Sequence, residues 1–199
     1  MSVAVVVFPG TNCEHDVVHA LTALGADAEI AWHADTDLSG ADGVVIPGGF
    51  AHGDYLRTGA IARISPVMGE VRRLAAEGRP VLGICNGFQV LCEAGLLPGA
   101  LVANRHLRFI CRPVHVRVES TDSVLTRGAG VGDVLRLPLN SYEGNFVAAA
   151  ETMAELIEGD RVVLRYCDRE GSTGETSNPN GSTDNVAGVA GAAGNVAGL

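Results

Sequence analysis

Gly83-Ile-Cys-Asn-Gly87 sets a thiol between two glycines, where the apolar run Val81–Ile84 gives way to a helical pattern. A sharp strand-to-helix turn of this kind lifts one side chain out of a sheet. The flanking glycines leave room that a Cβ would deny it. A thiol presented this way suits covalent acyl transfer, with Cys85 attacking a carbonyl carbon. Such chemistry needs three supports. The thiolate must be within reach, since a free thiol with a pKa of about 8.5 is mostly protonated at neutral pH, and the N-terminus of the following helix favours the charged form. The oxyanion needs N–H donors, and the backbone at Asn86 and in the Gly48-Gly49-Phe50 turn is the natural source. A base must take and return a proton. The alternative reading makes Cys85 a buried core cysteine at a glycine-rich turn.

Gln89 follows Cys85 by four residues and shares its helix face. It either hydrogen-bonds a small polar substrate or is a solvated helix residue. The six histidines offer less. His15 and His19 share a helix face, but no carboxylate or cysteine completes a metal-ligand set beside them. His115 faces out of an alternating strand. His52 follows the Gly-Gly turn and could approach the same rim as a substitute base. Five cysteines, irregularly spaced and without a Cys-x-x-Cys pair, argue against a disulfide framework or a structural zinc site. Cys85 and Cys92 would lie about 10 Å apart along one helix, too far to bridge. This cysteine usage fits a reducing cytoplasm, and no metal site is expected.

The elements that must position these residues alternate in type. Val3–Phe8 is a short apolar run, as in a central parallel strand. Thr11-Asn-Cys-Glu14 has capping-box spacing, and Val17, Leu21 and Leu24 give the helix after it one apolar face, ended by Gly25. Ala28–Trp32 and Gly43–Ile46 are further strands. Ser65-Pro66 starts a helix with Val67, Val71 and Leu74 on one face, and Pro80–Ile84 is the strand that feeds the elbow helix, which runs to about Ala94. This alternation implies an α/β fold of flavodoxin-like type, a parallel sheet flanked by helices. Ligands bind such sheets beyond the carboxyl ends of the strands, where Cys85 and Gly48-Gly49 should share a rim. The second half reads as additional mixed β structure: Val114–Val118, Leu135–Leu139 and Arg161–Tyr166 are strand candidates. Gly171–Leu199 has the composition of a flexible tail, although Val186–Val189 and Asn195–Leu199 also read as short strands joined by a glycine turn.

The 199 residues suit a single domain, and 47% hydrophobic with 19% charged residues is a globular composition. A net charge of −9 disfavours nucleic acid or an anionic membrane as a partner. No apolar run is long enough to span a bilayer, and no positive segment precedes the first one.

Four motifs in order carry a more specific signal: Phe8-Pro-Gly-Thr-Asn-Cys-Glu14, Pro47-Gly-Gly-Phe-Ala-His-Gly-Asp-Tyr-Leu-Arg57, Leu82-Gly-Ile-Cys-Asn-Gly-Phe-Gln89 and Glu93-Ala-Gly-Leu-Leu-Pro-Gly99. Together with Leu107–Arg112 and Asn178-Pro-Asn-Gly-Ser182, they resemble the glutamine amidotransferase subunit of phosphoribosylformylglycinamidine synthase over nearly the whole chain. The Gly-Gly-Phe and Gly-Asp-Tyr-Leu-Arg combination is more specific than the cysteine elbow, which all class I amidotransferases share. The resemblance implies a glutaminase that feeds ammonia to a large ATP- and Mg-using synthetase subunit in de novo purine synthesis, with a small third subunit helping assembly. It implies Cys85 as nucleophile, Gly49 and Asn86 as oxyanion donors, glutamine contacts from Gly48, Phe50 and Gln89, and no cofactor in this chain. Two other classes stand beside it. One is a docking subunit of the same complex without catalysis. The other is a different cysteine hydrolase on the same fold, which would want an acidic residue by the thiol and a His just after the elbow, where Asn86 stands.

Family members continue past the position of Leu199 with a segment that supplies a catalytic His and Glu. The 199-residue chain is therefore expected to be a single, C-terminally incomplete amidotransferase-like domain. General acid–base help is worth about 10²–10⁴-fold, so little glutamine turnover is expected, with Cys85 still open to alkylation. Comparison with a chain extended by a His-x-Glu segment tests this; equal turnover refutes it.

Overall fold

Five of the six residues of Ser2–Val7 are apolar, and all are buried or half-buried, which makes this run a strand covered on both faces. A computed structural model of the chain describes residues 1–199. In chain order the elements are β1 (Ser2–Val7), α1 (Glu14–Ala23), β2 (Asp27–Trp32), β3 (Gly43–Ile46), α2 (Val67–Ala76), β4 (Val81–Gly83), α3 (Asn86–Glu93), β5 (Ala100–Val102), β6 (Ile110–Val118), β7 (Val134–Ser141), β8 (Asn145–Val147), α4 (Ala150–Glu158), β9 (Val162–Cys167), β10 (Val186–Ala190) and β11 (Val196–Gly198). They pack as two compact units, residues 1–97 with 195–198, and residues 98–194 with Leu199.

The first unit holds a parallel sheet in the order β2-β1-β3-β4-β11. This is the flavodoxin-like order, and its switch point lies between β1 and β3. The α/β reading holds. Its fifth strand comes from the glycine- and alanine-rich end of the sequence: β11 pairs with β4 from Val196 opposite Val81 to Gly198 opposite Gly83. A tail reading fails here because Ala197 and Gly198 are small for a reason. A Cβ on Gly198 would come within 2.3 Å of the Phe88 ring.

Two local expectations are corrected. Thr11 does not cap α1. The helix begins at Glu14 behind Cys13, with no side-chain cap, while Thr11 Oγ1 accepts the Phe8 N–H at 3.0 Å. Thr11 is held by its bridge to Gly49, and that tertiary contact overrides the local capping pattern. Leu24 lies past the helix end and is 85% exposed, so the apolar face of α1 reduces to half-buried residues such as Val17 and Leu21. Helix α2 follows expectation more closely. Pro66 has helical dihedrals, Ser65 is extended, and Val67, Met68, Val71 and Leu74 are buried.

The second unit is antiparallel, in the order β10-β9-β6-β7, with a separate β5-β8 pair. Its core gathers Val116, Val118, Val163, Leu164, Tyr166 and Ala190. Strands β5 and β8 and helix α4 go beyond the elements read from sequence.

Asn195 ties β11 to α2 by donating from Nδ2 to the Ala75 and Arg79 carbonyls, both at 2.9 Å. Asn195→Ala removes the side-chain donor from both carbonyls, leaving Ala75 only the Gly78 N–H, and should cost about 1 kcal/mol in urea-induced unfolding. A change within error would mean that water replaces the amide fully.

Candidate active site

Register brings the site together. Strands β3 and β4 pair from Val44 opposite Val81 to Ile46 opposite Gly83, and Ile84 N–H donates to the Ile46 carbonyl at 3.0 Å. Both chains then leave the sheet side by side, one as Pro47-Gly48-Gly49 and the other as Cys85. A Cβ on Gly48 would lie 3.5 Å from the Cys85 Cβ. Cys85 itself has φ 53° and ψ −108°, a backbone conformation L residues rarely adopt. Helix α3 starts at the next residue. Its first turn lies so close to β3 that a Cβ on Gly87 would fall 1.9 Å from the Ile46 carbonyl oxygen.

The Gly48-Gly49 turn is held from the other side by the loop after β1. Gly49 forms an antiparallel bridge with Thr11, flanked by Asn12 N–H to Gly48 O at 3.2 Å and Phe50 N–H to Gly10 O at 2.9 Å. In this pattern Thr11 and Gly49 are the non-hydrogen-bonded pair, so the Gly49 N–H points out of the bridge. Phe50 differs from the sequence reading as a donor, because Gly10 already takes its N–H. Only glycine fits at position 49: its φ is 146°, and a Cβ would approach Asn12 N to 2.6 Å. The Phe50 side chain is more than half exposed.

Electrostatics at the thiol are mixed. Burial raises the Cys85 pKa, the Asn86 N–H hydrogen-bonded to the sulfur lowers it, and the Cys13 and Asp54 side chains raise it again. Burial likewise raises the Asp54 carboxyl, with partial relief from the Asn86 amide. Cys92 is a different kind of cysteine, since burial pushes it up to about 12. The geometry thus offers a thiol on a strained backbone that takes the Asn86 N–H, beside a glycine turn whose Gly49 N–H points out of its bridge to Thr11.

Gln89 is not the solvated residue that helical spacing also allowed. It is 6% exposed, and its Oε1 accepts from Asn86 Nδ2 at 3.0 Å. His52 packs against Phe8 and His33, with ring centroids 6.0 and 5.3 Å away, and burial lowers its pKa. No three His, Cys, Asp or Glu side chains gather as a metal site. Sequence reasoning missed Asn86 as a side chain and Asp54 altogether. Their link is visible only once the elbow and the loop after Gly49 are folded together.

The motif Asn178–Ser182 has a structural task in the second unit. Asn180 is fully buried; its Nδ2 donates to the Gly144 carbonyl at 2.6 Å and to Tyr166 Oη at 3.2 Å, and its Oδ1 accepts from the Ser182 N–H and hydroxyl. The Ser182 hydroxyl accepts the Phe146 N–H, which fixes β8.

Comparison with known proteins bears on the family of the whole chain. The family model described as CobB/CobQ-like glutamine amidotransferase domain matches residues 1–199. Phosphoribosylformylglycinamidine synthase subunit PurQ of Rubrobacter xylanophilus is 54% identical, over all of this chain and 86% of the relative. The protein of the same name from Methanosarcina acetivorans is 50% identical, again over all of this chain and 86% of the relative. The solved PurLQS structure from Thermotoga maritima superposes with a TM-score of 0.88 at 37% identity, covering the whole chain and 85% of that one. With matches of this strength along its full length, the chain belongs to the PurQ family of glutamine amidotransferases.

Proposed function

We propose that this chain hydrolyses glutamine and supplies the ammonia to the synthetase subunit of phosphoribosylformylglycinamidine synthase, in the cytoplasmic de novo synthesis of purines. The observation that supports the reading is the Cys85 corner itself, where the Asn86 N–H meets the sulfur and the Gly48-Gly49 turn, with the Gly49 N–H pointing out of its bridge, lies alongside. The Cys85 sulfur attacks the side-chain amide carbon of glutamine, and the developing oxyanion takes both N–H groups. Collapse breaks the C–N bond, ammonia leaves, and a γ-glutamyl thioester remains on Cys85. Water then releases glutamate and regenerates the thiol. Burial keeps the thiol protonated at neutral pH, so the step needs a base that takes this proton and returns it to the departing ammonia. Gly48, Phe50 and Gln89 are assigned to the glutamine side of the site.

The relatives support the assembly. They are named as synthase subunits, and the Thermotoga structure is of a PurLQS complex. The proposed partners are a large synthetase, which holds ATP and Mg, and a small assembly subunit. No cofactor is assigned to this chain. No helix here is long and apolar enough to cross a membrane.

In the assembled complex, Cys85→Ala should remove whatever glutamine-dependent product formation the unaltered chain supports while synthesis from added ammonium continues. If the unaltered chain promotes only ammonium-dependent synthesis, it is a docking subunit without catalysis. The pH dependence of alkylation by iodoacetamide gives a second measure. The rate follows the thiolate fraction, so its midpoint should lie above that of an unperturbed thiol. A midpoint near neutrality would mean that a cation or base next to Cys85 outweighs burial.

A further inference from the structure

The segment that follows the Gly48-Gly49 turn is held in an unfavourable shape. His52, Gly53, Asp54 and Leu56 have φ values of 55°, 67°, 52° and 69°. Three of these four carry a Cβ, which the left-handed region tolerates poorly. Strain of this kind persists only where surrounding contacts over-determine it.

One side chain supplies much of that constraint. Asn86 Oδ1 accepts the Ala51 N–H at 3.0 Å, which enters the strained turn, and Asn86 Nδ2 donates to Asp54 Oδ1 at 3.2 Å near its far end. The same Nδ2 donates to Gln89 Oε1 at 3.0 Å. The orientation of the amide is set by the Ala51 N–H, which can only donate and so must face the oxygen. Asn86 is 3% exposed, so water does not compete for these contacts. The carboxamide therefore ties the elbow to the loop that carries Gly49, and it turns the Nε2 end of Gln89 away from itself.

We propose that the Asn86 side chain is a positioning residue of the glutaminase site. Its backbone N–H is one oxyanion donor, and its carboxamide holds the second donor, the Gly49 N–H, in register with Cys85 while fixing which end of the Gln89 amide meets the substrate. The role rests on the glutaminase reading above. Oxyanion donors act through placement, and a shift of about 1 Å can cost about 10²-fold in rate.

The test compares two reagents on the intact protein, with covalent labelling of Cys85 followed by mass. A diazoketone analogue of glutamine places a carbonyl oxygen in the oxyanion site; iodoacetamide needs only the thiol. Asn86→Asp keeps an acceptor for the Ala51 N–H but turns a carboxylate toward Asp54 and Gln89 Oε1. It should slow diazoketone labelling about 10–100-fold and leave iodoacetamide labelling within a few-fold of the parent. Combining it with Asp54→Asn restores a donor–acceptor pair at that contact, because the new amide at position 54 can donate back, but leaves a carboxylate facing Gln89 Oε1, so part of the lost diazoketone rate should return. An unchanged diazoketone rate in Asn86→Asp overturns the proposal. Equal slowing with both reagents, or no recovery in the double variant, assigns Asn86 a purely structural part and overturns it as well. If the diazoketone fails on the unaltered chain while iodoacetamide reacts, the glutaminase reading falls, and the positioning role falls with it.

Discussion

The rim of the parallel sheet depends on how closely α3 can approach β3. A Cβ on Gly87 would lie 1.9 Å from the Ile46 carbonyl oxygen, so only a bare backbone lets the first turn of α3 settle there. From that approach the rest follows. Cys85 sits at the corner, Asn86 is driven inward to be buried, and its carboxamide reaches Ala51 and Asp54. The Gly48-Gly49 turn is then held between two elements, the loop after β1 on one side and the elbow on the other. Interiors are close-packed and transmit displacement, so a change at any of these points reaches the others.

Legibility in the sequence followed the range of the physical signal. The elbow, the strands β1, β3 and β4 and the helix α2 were readable because short apolar runs, glycines and Pro66 act within a few residues. The placement of Cys85 and the Gly-Gly turn on one rim followed from the strand–helix alternation alone. Motif resemblance added the family. What stayed hidden depends on contacts distant in sequence. Thr11 has the local pattern of a cap, but its bridge to Gly49 holds it elsewhere. Phe50 stands in the same glycine turn, but Gly10 takes its N–H. Helix α4 had some local signal, with Met153 and Leu156 buried three residues apart and Gly159 at its end, but its charged residues obscured a short pattern.

The two units use polar burial differently. Beside Cys85, buried amides link a loop to the elbow. In the second unit, Asn104 and Asn180 are almost wholly buried, and both answer the backbone around Gly144. Asn104 Oδ1 accepts the Gly144 N–H, and Asn180 Nδ2 donates to its carbonyl. Such fully satisfied networks specify one arrangement of irregular backbone where neither strand nor helix supplies partners. They account for asparagine-rich motifs that carry a family resemblance without chemistry of their own.

The position of β11 bears on how the chain reaches this state. Strand β4, which feeds the elbow, has β3 on one side from early in synthesis, but its other neighbour, β11, is made only after the whole of residues 98–194. Until then β4 presents an open row of peptide groups next to an apolar face, the kind of edge that recruits other chains. Closing it requires the intervening second unit to fold or at least to bring its ends together, and pairing over such separation is slow. The cysteine elbow therefore sits on a strand whose second partner is made only after residues 98–194, well after the elbow itself.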